Sequence, residues 1–449
     1  MRALRVRESL VWVLLLTLRG MMEPTSAGAV QAERVPNIVL ICADDLGWGD
    51  VGFNGRREWS TPHLDALAAE GTVFRRFYTA AVICAPSRAA LLTGKDTIHN
   101  GVTRNADDLA GSEVTIAEAL KAQGYRTALF GKWHHGKPRH SAEYVHPMDQ
   151  GFDEFFGYTD AIHAWEKFPR VLWDGRGRVE VSGYADDLFT DRAVDFLQRN
   201  RQRPFFLYLP YIAPHFHLEA PEDEVALHRG RLPEADPAQP VSATYAALVT
   251  RLDRNVGRVL AVLDELGLAG QTLVVFISDH GATFEQGNQG ASALLDSNRP
   301  LRGQKRTLWE GGVRIPAVVR WPGRIPSARV SADVFRTTDL FPTILAAAGA
   351  ATEPAWAVDG RNVLSAWCGQ SAAPSRILFW EWRDGAEGSD QIAALDRDLK
   401  LVVNQGGKPE LYDVVNDPGE RRDLAAEQSD KVEQLLAALK AWLATEVQP

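Results

Sequence analysis

A chain of 449 residues, 45% hydrophobic and 24% charged, is longer than one ordinary domain and apolar enough to bury a large core, which excludes a disordered or fibrous protein. Its 49 basic and 58 acidic residues leave a net charge of −9, so no global field draws in nucleic acid or an acidic polymer, and any anion must be held by a local cluster of cations. Three cysteines, Cys42, Cys84 and Cys368, allow at most one disulfide and leave one thiol over.

The chain opens with Arg2, Arg5 and Arg7, an apolar run over residues 10–18, and small residues at Ala27-Gly28-Ala29 and Ala32. This order predicts a signal peptide over residues 1–32 rather than a membrane anchor, for which the run is too short. Export is therefore expected, to a periplasmic, extracellular or lysosomal compartment, without stable membrane insertion. Residues 37–43 are a continuous apolar run, the pattern of a strand covered on both faces, and they end at Asp44-Asp45. Thr61-Pro62 then starts a helix that Gly71 stops.

Cys84-Ala85-Pro86-Ser87-Arg88 follows, with Pro86 suited to a first helical turn and Gly94 to a helix end, which predicts that Cys84 lies just before a helix N-terminus. Orphan backbone N–H groups there and the forked donor of Arg88 describe an anion pocket; the alternative is that Cys84 is a small core residue among Ala81, Val82 and Ile83. Thr115 with Glu118 makes a capping box, and residues 127–130 read as a second buried strand running into Gly131-Lys132-Trp133-His134. A helix over residues 186–199 precedes a third strand at 205–209, which exits through Pro214-His215. The strongest helical period covers residues 242–266, and the fourth buried strand, 273–277, exits into Ser278-Asp279-His280-Gly281.

Strands alternating with helices predict an α/β fold with a parallel sheet covered on both faces, and such sheets bind ligands at the strands' carboxyl ends. That rule puts Asp44, Asp45, Lys132, His134, His215, Asp279 and His280 on one edge. Residues 281–313 form a long polar loop with Arg302, Lys305 and Arg306, either solvated or delivering a cation to that edge. Residues 318–321 suggest another strand and 338–348 another helix, and from residue 372 short alternating runs and a terminal helix predict a small α+β domain.

Three carboxylates at one edge call for a hard divalent cation, unless each caps a local turn. Lys132, Arg88 and Lys305 are then candidates to hold the oxygens of a sulfate or phosphate, and His134 and His215 to move protons.

The segment CxPSRxxLLTG at residues 84–94 resembles the signature of the formylglycine-dependent sulfatases of the alkaline phosphatase superfamily. It is joined in order by DDLGWGD from Asp44, GKWH from Gly131, Pro214-His215, SDHG from Ser278 and KxxxxEGG from Lys305. The resemblance spans residues 36–425, including the segment from Glu410 to Glu420. It implies a large mixed, mostly parallel sheet sandwiched by helices, with a catalytic domain over residues 33–371 and a smaller C-terminal domain over 372–449. It further implies that a formylglycine-generating enzyme converts Cys84 to formylglycine, whose hydrate attacks sulfur, releases the alcohol and then expels sulfate as the aldehyde reforms. Asp44, Asp45, residue 84, Asp279 and His280 would bind one divalent metal, calcium, while Arg88 supports the formylglycine. Lys132 and Lys305 would clamp sulfate, His134 assist the second hydroxyl and His215 protonate the leaving oxygen.

Position 280 departs from the pattern: it is asparagine in many sulfatases, and histidine in a minority and in some phosphoesterases of the superfamily. The expected function is an exported sulfatase acting on a sulfated small molecule or glycan. The competing expectations are a phosphodiesterase or phosphonate monoester hydrolase, and a non-catalytic binder of sulfated glycans. The loops near residues 135–146 and 162–173 are candidate pocket walls, with Trp165 or Trp173 stacking on a sugar ring.

Overall fold

The structure, a computed structural model, describes residues 35–136, 145–383 and 390–446. The expected signal peptide and part of the first candidate loop lie outside the described residues. From Val35 onward the chain packs as one compact unit.

Its spine, among the described residues, is an eleven-stranded sheet. The central strands Thr272–Ser278, Asn37–Asp44, Phe205–Pro214 and Arg126–Lys132 lie side by side in that order, all parallel. These are the four strands whose unbroken apolar runs predict burial on both faces. Alternation along Asn37–Asp44 explains it: Val39, Ile41 and Ala43 enter one core, and Ile38, Leu40 and Cys42 the other. The first core is closed by the helices Pro62–Glu70, Ala185–Asn200 and Val241–Glu265, and the second by Cys84–Thr93, Ile116–Ala122 and Leu340–Ala347. Each fully buried Leu, Ile or Val adds about 1.5–3 kcal/mol, so these layers fix the strand ends firmly.

The sheet is mixed at its flanks. Ala317–Arg320 runs antiparallel to Thr272–Ser278 and to Thr72–Tyr78, and Arg329–Arg336 pairs parallel with Thr72–Tyr78 at the edge. The sequence pattern hides these two outer strands. Arg75 and Arg76 interrupt one, and exposed residues alternate along the other, because each has a charged or solvated side. On the far flank, Glu154–Tyr158 continues the sheet in parallel, followed by the hairpin Val171–Asp174 and Gly177–Glu180.

The described residues from Ile377 onward form a separate four-stranded antiparallel sheet covered by the helix Ser429–Leu443 through Leu435, with Val432 and Leu436 beside it. This second sheet does not stand alone: Trp380, Trp382, Val402 and Tyr412 share one core with Tyr78, Val82, Ile83, Leu308 and Trp309. No helix among the described residues is long and apolar enough to cross a membrane.

Candidate active site

The strand ends deliver their polar residues to one place. Asp44 closes its strand, and Asp45 turns with φ 65°, a left-handed conformation that Asp tolerates better than most residues. Asp45 N–H donates to Asp279 Oδ1 at 3.2 Å, tying two strand ends together. The helix that follows Ile83 begins at Cys84 itself, one residue earlier than the sequence reading expects, so Cys84 sits within the first turn. One of the orphan donors expected there is already used: Ala85 N–H donates to Asn105 Oδ1 at 3.0 Å.

Cys84 is buried, with Sγ 3.5 Å from Asp44 Oδ1 and 3.3 Å from His280 Nε2. Arg88, one turn along, donates to Asp279 Oδ2 at 2.9 Å and to the Lys132 carbonyl at 3.2 Å, and lies 3.5 Å from Asp44 Oδ2. Lys132 Nζ meets Asp44 Oδ2 at 2.6 Å, and Lys305 Nζ meets both oxygens of Asp45 at 2.9 and 3.1 Å. His215 Nε2 stands 3.7 Å from Asp45 Oδ2, while its Nδ1 faces the Phe216 carbonyl at 2.6 Å. His134, at φ 75°, is buried, and neither ring nitrogen has a hydrogen-bond partner among the described residues.

Lys305 comes from the long loop after Gly281, and two glycine contacts explain how it arrives. Gly281 N–H donates to Gly312 O at 3.1 Å, and a Cβ built on Gly281 would lie 1.7 Å from the Gly311 carbonyl, so only glycine admits this approach. Lys305 N–H in turn bonds to Ala282 O at 3.1 Å. The loop therefore closes on its own start and projects Lys305, one of its four basic residues, inward, while Arg299 pairs with Glu58. Arg302 instead lies over Trp309 and donates to Glu420 O, and Arg306 pairs with Glu285.

All three carboxylates and all three cations are almost completely buried. Burial opposes every one of these charges, and the partners decide the outcome. Lys132 and Arg88 hold the Asp44 carboxyl well below the usual carboxylate range, and the acids raise Arg88 and Lys305. At Asp45 burial wins over Lys305 and pushes the carboxyl up. Burial also holds His134 and His215 well below an ordinary imidazole, whereas at His280 the charges of Asp279 and Cys84 overcome burial and lift it to about 9.

The donor chemistry also suits a metal. One ligand atom each from Asp44, Asp45, Cys84 and His280 lies within 4.8 Å of the others. Asp279 borders this group, its Oδ1 3.6 Å from His280 Nε2, but its other oxygen is held by Arg88. Each carboxylate here has a cationic partner, so it is this donor set, and not unpaired acid, that suits a cation. Sequence reading also misses the supports. Ser87 Oγ donates to Asp279 O at 2.6 Å, Asn298 clasps Ala282 and Gly303, and Phe216 packs at a tilt against His215 with ring centroids 4.1 Å apart. Only Ser87 lies inside a recognisable motif.

Comparison with known proteins agrees with this geometry. Residues 36–350 match the model of the sulfatase family, and residues 303–448 match that of the N-sulphoglucosamine sulphohydrolase C-terminal region. The chain is 32% identical to mouse steryl-sulfatase, covering 97% of this chain and 86% of that protein. It is 36% identical to N-acetylgalactosamine-6-sulfatase of Canis lupus familiaris, covering 82% and 72%. The crystal structure of Ps i-CgsB in complex with k-i-k-neocarrahexaose superposes with a TM-score of 0.84 at 29% identity, covering 93% of this chain and 94% of that one. With its large, mostly parallel sheet, its smaller C-terminal sheet and this constellation at the strand ends, the chain belongs to the sulfatase family and is a sulfuric ester hydrolase.

Proposed function

We propose that this protein cleaves the sulfate ester of a carbohydrate with a formylglycine made from Cys84 and with a divalent metal, calcium, at Asp44, Asp45, residue 84, Asp279 and His280. The observation that carries the reading is the position of Cys84, within 3.5 Å of both Asp44 and His280 and one helical turn from Arg88. A buried thiol amid this much charge has no packing rationale of its own. The matured side chain supplies the attacking oxygen, and the metal, when bound, polarises the sulfate oxygens.

The chain's other residues do the rest. Lys132 and Lys305 hold sulfate oxygens through ammonium donors, and Arg88 fixes Asp279 and the helix that carries residue 84. His134, kept neutral by burial, accepts a proton from the hydrate's second hydroxyl as the aldehyde reforms and sulfate leaves. His215 protonates the departing alcohol oxygen through Nε2, since Nδ1–H is spent on the Phe216 carbonyl.

Export through the N-terminal segment and maturation by a formylglycine-generating enzyme belong to the same reading. The sugar substrate is supported by the carbohydrate named for Ps i-CgsB and by the name of the N-acetylgalactosamine-6-sulfatase relative. His280 favours weighing phosphate esters as well. Mass spectrometry of the peptide containing position 84, with sulfate release from sugar and aryl sulfates and turnover of matched phosphate esters, tests the proposal. An intact thiol in active protein refutes the nucleophile, and preference for the phosphate esters refutes the ester class. Cys84→Ala is expected to lower kcat/KM by at least about a thousandfold.

A further inference from the structure

Beside the charged site lies an open cleft of about 500 Å³, and the two meet at one ring. Phe216 has the His215 ring packed against it, tilted by 35°, and Lys305 Nζ 5.7 Å from its centroid. Trp165 packs against Phe216 at 5.5 Å and against His217 at 5.6 Å, and both Trp165 and His217 line the cleft. Phe216 thus divides the sulfate-holding residues from an aromatic-walled space just beyond His215, the proposed proton donor to the leaving alcohol.

From this placement we infer that the cleft seats the alcohol half of the ester, and that this alcohol is a pyranose bearing little charge of its own. Trp165 and Phe168 offer flat apolar surface, and Phe168, although its ring packs on Tyr184 at 5.6 Å, is still 46% exposed, as a stacking platform for a sugar ring requires. Around that surface stand Glu166, Glu219, Arg170 and His217, which suit the hydroxyl edge of a ring. A steroid would cover the same groups with hydrocarbon and leave them without partners, which is costly. Two carboxylates against one guanidinium also repel further sulfate groups.

The cleft wall is fixed to the catalytic strand, as a specificity element must be. Lys167, buried within the wall segment, donates to Ile212 O at 3.0 Å, and Asp186 accepts from Ile212 and Ala213 N–H at 3.0 and 3.1 Å, just before His215. Glu166 O accepts from the Tyr158 hydroxyl. Gly287 backs Phe216, and a Cβ there would lie 3.0 Å from the ring.

The inference rests on the sulfatase reading, and the test separates the two. Sulfate release is measured for galactose, glucose and N-acetylhexosamine monosulfates, a disulfated disaccharide, a steroid sulfate and 4-nitrophenyl sulfate, using the matured full-length protein and its variants. The best pyranose monosulfate should exceed the steroid sulfate in kcat/KM. Trp165→Ala and, separately, the more exposed Phe168→Ala should each lower its kcat/KM about tenfold more than that of 4-nitrophenyl sulfate, as for one stacking contact. In the Glu166→Gln/Glu219→Gln double variant, turnover of the disulfated relative to the monosulfated sugar should rise about threefold or more. Preference for the steroid, parallel losses on sugar and aryl substrates, or an unmoved charge preference would overturn the inference and leave the sulfatase reading standing. Release of sulfate from none of them would refute that reading itself.

Discussion

At the residue scale, the site is a balance of buried charge. Arg88 is 1% exposed and serves Asp279, Asp44 and the Lys132 carbonyl together, so no other side chain replaces it. Arg88→Ala leaves two buried carboxylates short of a partner and is expected to cost about 3–5 kcal/mol in urea unfolding, with activity lost. Arg88→Lys should recover part of the stability but little kcat/KM, because an ammonium cannot fork. A second carboxylate gives a pH signature far from the site. Asp253 caps the helix Pro62–Glu70 through Leu64 N–H at 2.7 Å and His63 N–H at 3.2 Å, yet burial lifts its carboxyl to about 6. A raised value in the folded state means that the folded protein binds the proton more tightly than the unfolded chain. The associated stability is full below the ordinary carboxylate range and is lost as pH rises through about 6. Asp253→Asn keeps an accepting oxygen and should flatten the fall of unfolding free energy between about pH 4 and 6. A slope equal to that of the parent protein would contradict this.

At the scale of elements, the loop that presents Lys305 is stabilised from the C-terminal sheet. Glu310, which opens the short helix Glu310–Val313, accepts from Lys400 Nζ at 3.0 Å and from the Tyr78 hydroxyl at 3.1 Å, and its N–H donates to Glu420 at 2.8 Å. Lys400 also lies 3.3 Å from Glu420, and all three side chains are buried. Lys400→Met is therefore expected to destabilise by about 3–5 kcal/mol and to reduce kcat/KM, although Lys400 belongs to the other sheet. Gly281→Ala acts on the same loop from its opposite end. Its Cβ must displace the Gly311 carbonyl, so Lys305 shifts, and a loss of activity larger than the change in melting temperature suggests is the expected result.

At the scale of the whole molecule, we propose that residues 33–371 act as the catalytic domain and 372–449 as a C-terminal domain that completes it. The aromatic core shared by Trp380 and Trp382 with Tyr78, Ile83 and Trp309 supports a dependent pairing. A chain ending at residue 371 should accordingly expose this apolar face and aggregate or bind an apolar dye, where an independent domain would melt cooperatively. Metal acts at this scale too. Chelation should lower the melting temperature and calcium restore it, with a concentration dependence set by mass action, since the proposed ligands come from three separated segments of the chain.

Much of this could be read from the residues alone. The four central strands announce themselves because a strand buried on both faces must be apolar throughout. Their ends are equally visible, since Asp44-Asp45, Lys132, Pro214-His215 and Asp279-His280 begin where apolar runs stop. The motif around Cys84 fixes both the helix start, within one residue, and the family. The strands Thr72–Tyr78 and Arg329–Arg336 stay hidden because their arginines and solvated sides are satisfied by partners far along the chain, as Arg76 is by Asp398. The pairing of Lys132 with Asp44, Arg88 with Asp279 and Lys305 with Asp45 is likewise absent from any local pattern. The loop of Trp165 can be read as a pocket wall, but its meeting with His217 across Phe216 cannot. Burial and backbone course depend on short-range chemistry and so survive in the order of residues. Which buried charge meets which, and what space remains beside them, depends on contacts between segments scores of residues apart, and only the packed molecule decides those.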